Sequence, residues 1–258
     1  MDASILTVTW NSEKYIQKQI ESVKSGAADL EIEQLIADNN SSDGTVSIIK
    51  NQFPNLYLKE ISYNSGFAFA NNYLFEKSTG EYIILINPDI EVLPGAIKKI
   101  VNFAKDHPKA GVVGGLLMDE NGLVKKDATP RRFPKLIDQL VILFKLHHLF
   151  PGLLGNYLRA DFDPTKEQQV DSIQGAFMLI NRELCRKLGY LLDERYYIWF
   201  EDVDLCREAK KNDYEVWFCP VPVAKDFGGR SFIKQPILWR QINFFKSMFK
   251  YFHKWGLD

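Results

Sequence analysis

Over the first 115 or so residues, apolar and polar positions alternate between two rhythms. Short apolar runs rich in β-branched residues, at 4–10 and 32–38, read as buried strands. Between them Ile16, Ile20 and Val23 recur at helical spacing. Asn11 or Ser12 can cap that helix and Gly26 can close it. A second helix over 45–53 takes its cap from the Ser-Ser-Asp-Gly stretch and stops before Pro54. Strand 56–62, helix 67–80, strand 81–87, a loop over 88–95, helix 96–107 and strand 110–118 follow. Strands alternating with helices imply a mainly parallel sheet covered on both faces. Such sheets bind ligands beyond the carboxyl ends of their strands.

The second half is less regular. Residues 119–135 read as a loop or hairpin turning at Asn121-Gly122, and 136–150 as an apolar helix ended by a Pro-Gly breaker. A strand entering a helix fits 168–189, a helix with acids at its front fits 200–213, and a strand fits 215–220. The last stretch, 236–255, carries an apolar stripe of Leu238, Ile242, Phe245, Phe249 and Phe252 beside a basic one of Lys246, Lys250 and Lys254. A basic amphipathic helix of this kind suits peripheral contact with an anionic membrane. Packing on the domain or in a homodimer is the competing reading.

With 258 residues, 46% hydrophobic and 25% charged, the chain has the composition of a globular protein. A net charge of −1 gives no reason to expect nucleic acid as a partner. The three cysteines, Cys185, Cys206 and Cys219, have no metal-binding spacing and read as core residues of a reducing compartment. No signal peptide or membrane span is apparent, so a cytoplasmic protein is expected. No G-x-G-x-x-G, P-loop or G-x-S-x-G motif follows a strand.

What stands at the strand ends is polar: Thr-Trp-Asn after the first, Asp-Asn-Asn-Ser-Ser-Asp-Gly after the second, Tyr-Asn-Ser-Gly after the third and Asn-Pro-Asp after the fourth. Each alone is a turn signal, and Asp43 suits a cap. Four on one rim suggest a pocket. The Asp38 carboxylate can accept from a base imide N–H, and Trp10 can offer its face to the base.

In order, V-T-W-N (8–11), D-N-N-S-S-D-G-T (38–45), N-S-G-F-A-F-A-N-N (64–72), N-P-D (87–89), G-A-F-M-L-I (175–180) and W-F-E-D-V-D-L-C-R-E-A (199–209) resemble the family 2 glycosyltransferases, above all their rhamnosyltransferase-like branch. The resemblance covers about residues 4–231. It implies an α/β GT-A fold, the nucleotide-diphospho-sugar transferase fold, with a mainly parallel central sheet flanked by helices. One domain would span 1–235, with a nucleotide-sugar half (1–115), an acceptor half (116–235) and the helix 236–258 appended.

The implied reaction is inverting transfer from a nucleoside-diphosphate sugar to a glycan or lipid-linked acceptor in bacterial surface polysaccharide synthesis. dTDP-rhamnose is the leading donor and UDP-hexoses compete. The resemblance assigns the base and ribose to Thr9, Trp10, Asn11, Asp38 and Asn40, and the rest of the donor to Asn64, Gly66, Asn71, Asn87, Gly175 and Ala176. Phe67 and Phe69 read as core.

Asp89 matches the acid that holds Mg²⁺ or Mn²⁺, and Asn87 replaces the first acid of the usual D-x-D. Asp226 stands where the branch often has His, so it is either an oxygen ligand of the same cation or the sign of an altered metal site. Asp202 is the implied base, with Glu201 orienting it or the sugar. Asp204, two residues on, points away. Gly228, Gly229 and Ser231 would form a closing loop, with Arg230 adding charge. Arg131 and Arg132 read as solvated or as contacts to an anionic acceptor. Two alternatives stand beside this: a non-catalytic nucleotide-sugar or glycan-binding protein of the same fold, and a sugar-phosphate nucleotidyltransferase, whose glycine-rich N-terminal loop is missing here.

Overall fold

The computed structural model describes residues 1–125, 128–159, 161–228 and 235–257. The strands are β1 (Ala3–Thr9), β2 (Ile32–Asp38), β3 (Tyr57–Glu60), β4 (Tyr82–Ile86), β5 (Ile90–Val92), β6 (Ala110–Met118), β7 (Gln168–Gln169), β8 (Phe177–Asn181) and β9 (Glu215–Asp226). The α-helices are α1 (Ile16–Ala27), α2 (Thr45–Gln52), α3 (Phe67–Lys77), α4 (Ala96–Asp106), α5 (Leu136–Leu143), α6 (Arg182–Leu188), α7 (Glu201–Lys211) and α8 (Ile237–Trp255).

All these strands join one sheet in the order β3-β2-β1-β4-β8-β6-β9-β5, with β7 paired to β9. Strands β3, β2, β1 and β4 run parallel, as the sequence pattern requires. Strand β8 then inserts antiparallel between β4 and β6, and β5 pairs antiparallel with β9. The sheet is therefore mixed, and β4 and β6 are not neighbours. Both halves of the chain contribute to it, so no seam divides the core.

Strand alternation sends Leu6 and Val8 to one face, under α3, α6 and α7, and Ala3 and Ile5 to the other, under α4. Every residue of β1 is buried, as expected for a central strand covered on both faces. Cys185, Cys206 and Cys219 are free and buried, and burial raises each thiol well above its ordinary range.

Four local expectations change. The apolar helix read over 136–150 ends at Leu143, followed by Lys145 in a left-handed conformation at φ +55° and a 3₁₀ turn over Leu146–His148. Helix α1 begins at Ile16, after a turn in which the Ser12 carbonyl accepts from Tyr15 and Ile16 N–H. Gly26 lies inside α1 rather than closing it. A Cβ there would stand 2.4 Å from Val92 Cγ1, so the glycine lets β5 pack against the helix. Residues 90–92, expected in a loop, form β5. The turn at Asn121-Gly122 is present, with Asp119 N–H donating to the Leu123 carbonyl and Gly122 at φ +79°.

Helix α8 is built into the molecule. Tyr196, Phe200, Met248, Tyr251 and Phe252 form a buried cluster joining it to the segment before α7. The Lys254 ammonium lies 2.7 Å from Asp204, 2.8 Å from Glu208 and 3.1 Å from Asp193, and the Trp255 indole donates to Asp204 at 2.6 Å. Lys254 is thus an interior cation, not part of a solvated stripe. The apolar stripe also divides: Phe252 is buried, while Leu238, Ile242, Phe245 and Phe249 stay exposed.

Candidate active site

The carboxyl ends of β1, β2 and β4 meet the start of β8, the end of β9 and the N-terminus of α7 around one cavity of ≈ 530 Å³. Trp10, Asn64, Gly66, Asn87, Asp89, Gly175, Ala176, Glu201, Asp202 and Asp226 all line it. Residues separated by more than two hundred positions are brought together by the pairing of β8 with β4 and of β9 with β5. Antiparallel register places Phe177 opposite Ile86, and Asn87 N–H donates to the Ala176 carbonyl at 3.0 Å. Ile90 pairs with Asp226, which sets Asp89 beside Asp226 on the cavity wall.

Five expected donor residues do not line the cavity. Thr9 is fully buried under it, in register with Asp38. Asp38 is only 2% exposed, and its two oxygens accept from the Ser41 N–H and hydroxyl. Burial raises its pKa, against the pull of those bonds. Asn11 accepts from Ser42 N–H, and its own N–H donates to the Ser41 hydroxyl. Asn40 is exposed in a left-handed turn at φ +64°. Asp43 accepts from Thr45 N–H and Glu13 N–H. Most of the 38–45 cluster is therefore a turn network. Its cavity-facing member is Asn39, whose amide donates to the Gly66 carbonyl and accepts from Ser65. Asn71 is fully buried inside α3, with its amide on the Phe67 carbonyl. Phe67, expected in the core, is partly buried and lines the cavity, while Phe69 is 38% exposed.

Gly66 has φ +87°, and a Cβ there would meet the Tyr197 carbonyl at 2.5 Å. The close approach it permits is thus to the chain's own 196–200 segment; Phe67 N–H also donates to the Tyr197 carbonyl at 3.0 Å. That segment ends in two consecutive left-handed residues, Trp199 (φ +63°) and Phe200 (φ +71°). Such conformations cost about 1–3 kcal/mol each for non-glycine residues. The turn they make launches α7 so that its first two residues face the cavity.

Asp202 accepts from Gly175 N–H at 3.1 Å and from Val203 N–H at 2.7 Å. Burial raises its pKa and these N–H groups hold it back. Glu201 is 8% exposed, with one carboxyl oxygen lacking a hydrogen-bond partner. Burial first, then the charge of Asp202, push it well above the carboxylate range. Both carboxyls are thus raised by burial, Glu201 further than Asp202, whose shift the Gly175 N–H just before β8 opposes. Asp204 faces away, to Lys254 and Tyr196.

Just past the end of β4, burial, reinforced by Asp226, raises Asp89 to about 6. Asp226 does not offer a free carboxylate: Oδ2 pairs with Lys125 Nζ at 2.7 Å and Oδ1 accepts from Gly228 N–H at 2.7 Å. Among the described residues no group of three His, Cys, Asp or Glu is arranged to hold a metal. Asp89 alone still fits a hard cation shared with phosphate oxygens, since Mg²⁺ often takes only one or two protein carboxylates. The expected closing loop is described only to Gly228; Gly229, Arg230 and Ser231 lie outside the described residues.

Sequence reasoning missed Lys125 and the apolar end of the cavity, formed by Ile142, Tyr157, Trp239 and Phe244. No motif marks these positions. Arg131, read as solvated or acceptor-facing, lines the cavity.

A mixed sheet with a cleft at its strand ends, lined by the carboxylates of Asp89, Glu201 and Asp202, is the architecture of a glycosyltransferase of the GT-A type. The family model described as Glycosyl transferase family 2 matches residues 4–189, and the chain belongs to that family. It is 28% identical over 214 residues to the N-acetylglucosaminyl-diphospho-decaprenol L-rhamnosyltransferase of Mycobacterium tuberculosis, covering 78% of this chain and 68% of the relative. It is 23% identical to the low-salt glycan biosynthesis hexosyltransferase Agl10 of Haloferax volcanii, covering 85% of this chain and 65% of the relative. S. aureus TarS 1-349 in complex with UDP-GlcNAc shares the fold at a TM-score of 0.61 and 16% identity, over 92% of this chain and 62% of that chain. The chain thus spans about three fifths of that solved structure.

Proposed function

We propose that the chain transfers a sugar from a nucleoside diphosphate, with inversion, to a glycan or lipid-linked acceptor. L-rhamnose from dTDP-rhamnose is the leading donor, and UDP-sugars compete. The observation that carries this is that Asp89, just past the end of β4, and Asp202, at the start of α7, line one cavity. The rhamnosyltransferase relative supports the donor, and its decaprenol-linked substrate name supports a lipid-linked acceptor.

In this reading the nucleotide stacks toward Trp10, and the diphosphate lies against Asp89. The sugar sits by Asn87, Gly175 and Ala176. Asp202, fixed by two backbone N–H groups, takes the proton of the acceptor hydroxyl as it attacks the anomeric carbon. Glu201, beside it in the cavity lining, orients the sugar or the base. A divalent cation, Mg²⁺ or Mn²⁺, held at Asp89 would supply Lewis-acid stabilisation of the departing diphosphate. The aromatic end, Tyr157, Trp239 and Phe244, receives the acceptor.

Release of nucleoside diphosphate from a panel of dTDP-, UDP- and GDP-sugars, with and without Mn²⁺ and with polyprenyl-linked acceptor, tests the proposal. We expect acceptor-dependent release from dTDP-rhamnose or a UDP-sugar, stimulated by Mn²⁺. A chain that binds these donors tightly but never turns over would be a binding protein of the same fold.

A further inference from the structure

The Lys125–Asp226 pair lines the same cavity as Asp89, and Lys125 has no part in the reading drawn from the motifs. Its two side chains are 17% and 9% exposed, so the pair is mostly shielded from water. Neither partner is loosely held. Lys125 N–H donates to the Leu117 carbonyl of β6 at 2.9 Å, and Asp226 closes β9. Asp226 engages both its oxygens, one on Lys125 and one on Gly228 N–H. An ammonium has three donors, and the pair with Asp226 uses one of them.

With Asp89 and Asp226 ionised, this wall holds two negative charges and the one positive charge of Lys125. Among the described residues Lys125 is the cation already in place on this wall to meet an arriving diphosphate. Arg131 is, among the described residues, the other cation of the cavity lining, and its field acts on Asp202, while that of Lys125 acts on Asp89.

We infer that Lys125 is a diphosphate-binding residue: a resident ammonium, oriented by Asp226, that contacts the donor's phosphate oxygens and holds the nucleotide without any divalent ion. Asp226 is then a positioning residue for Lys125 rather than a metal ligand. This rests on the donor-site reading above. It goes beyond it by assigning a charged contact that needs no metal.

Calorimetric titration of dTDP and UDP, in EDTA and in Mn²⁺, tests it on the wild type and on Lys125→Met, Lys125→Arg and Asp226→Asn. The wild type should bind in EDTA. Lys125→Met should weaken that binding by about tenfold or more, and less in Mn²⁺. Lys125→Arg, which keeps the cation, should retain most of the affinity, separating a lost charge from a misfolded hairpin. Asp226→Asn should keep the Mn²⁺ enhancement, because Asp89 carries it. Equal affinity of Lys125→Met and wild type in EDTA would overturn the assignment, as would wild-type binding seen only with Mn²⁺. In both cases the donor site itself would stand. Failure of the wild type to bind either nucleotide in either buffer would overturn the donor site and this inference together.

Discussion

Asp202 and Glu201 are adjacent in sequence and opposite in setting. Two N–H groups stabilise the Asp202 carboxylate, while Glu201 has an unpartnered oxygen in a buried position. Burial raises Asp202 above the ordinary aspartate range of about 4. The base must be ionised to work, so activity should fall as pH drops through that raised pKa. We predict a kcat profile at saturating donor whose acid limb lies above pH ~4. Asp202→Asn should lose about 10²–10⁴-fold in kcat while keeping nucleotide affinity. A profile flat down to pH ~4, or unimpaired turnover by Asp202→Asn, would remove Asp202 as the base. At this scale the sequence made Trp10, Asp89 and Asp202 legible, because each sits in a motif. It did not reveal Asn39, since Asp38, Asn40 and Asp43 around it read equally well as turn formers. Nor did it reveal Lys125, whose role exists only because β9 brings Asp226 to it.

Elements were legible where hydrophobic period and length agreed. Strands β1, β2 and β4 and helices α3 and α4 lie where the pattern put them. The three residues of β5 sit between two prolines and carry too little pattern to read. The insertion of β8 between β4 and β6 is a long-range pairing that local periodicity cannot express. Helix α8 shows the same limit: its period was clear but its partners were not, and Lys254 proved to serve three buried acids. The face left over exposes Leu238, Ile242, Phe245 and Phe249 beside Lys246 and Lys250, and α8 contains no acid. A homodimer along that face would set like charges together, so an anionic membrane is the better occupant. Vesicle co-sedimentation should show binding to phosphatidylglycerol-containing vesicles, weakened by high salt and by Phe245→Asp with Phe249→Asp. Equal recovery with purely zwitterionic vesicles, or none with either, would contradict it. Among the described residues no helix is long and apolar enough to cross a membrane.

The molecule as a whole is one sheet whose strand ends, from both halves of the chain, close around one cavity. Trp239 and Phe244 of α8 line that cavity while the far side of the helix faces solvent, so the proposed acceptor end and the proposed membrane face belong to one element. A lipid-linked acceptor could then approach Asp202 along α8, while the nucleotide enters past Trp10. The most direct measurement is a crystal structure of the chain with a non-hydrolysable analogue of dTDP-rhamnose or of a UDP-sugar. The account predicts the diphosphate against Asp89 and Lys125, with the anomeric carbon facing Asp202. A nucleotide bound outside this cavity, or one whose sugar turns away from Asp202, would contradict it.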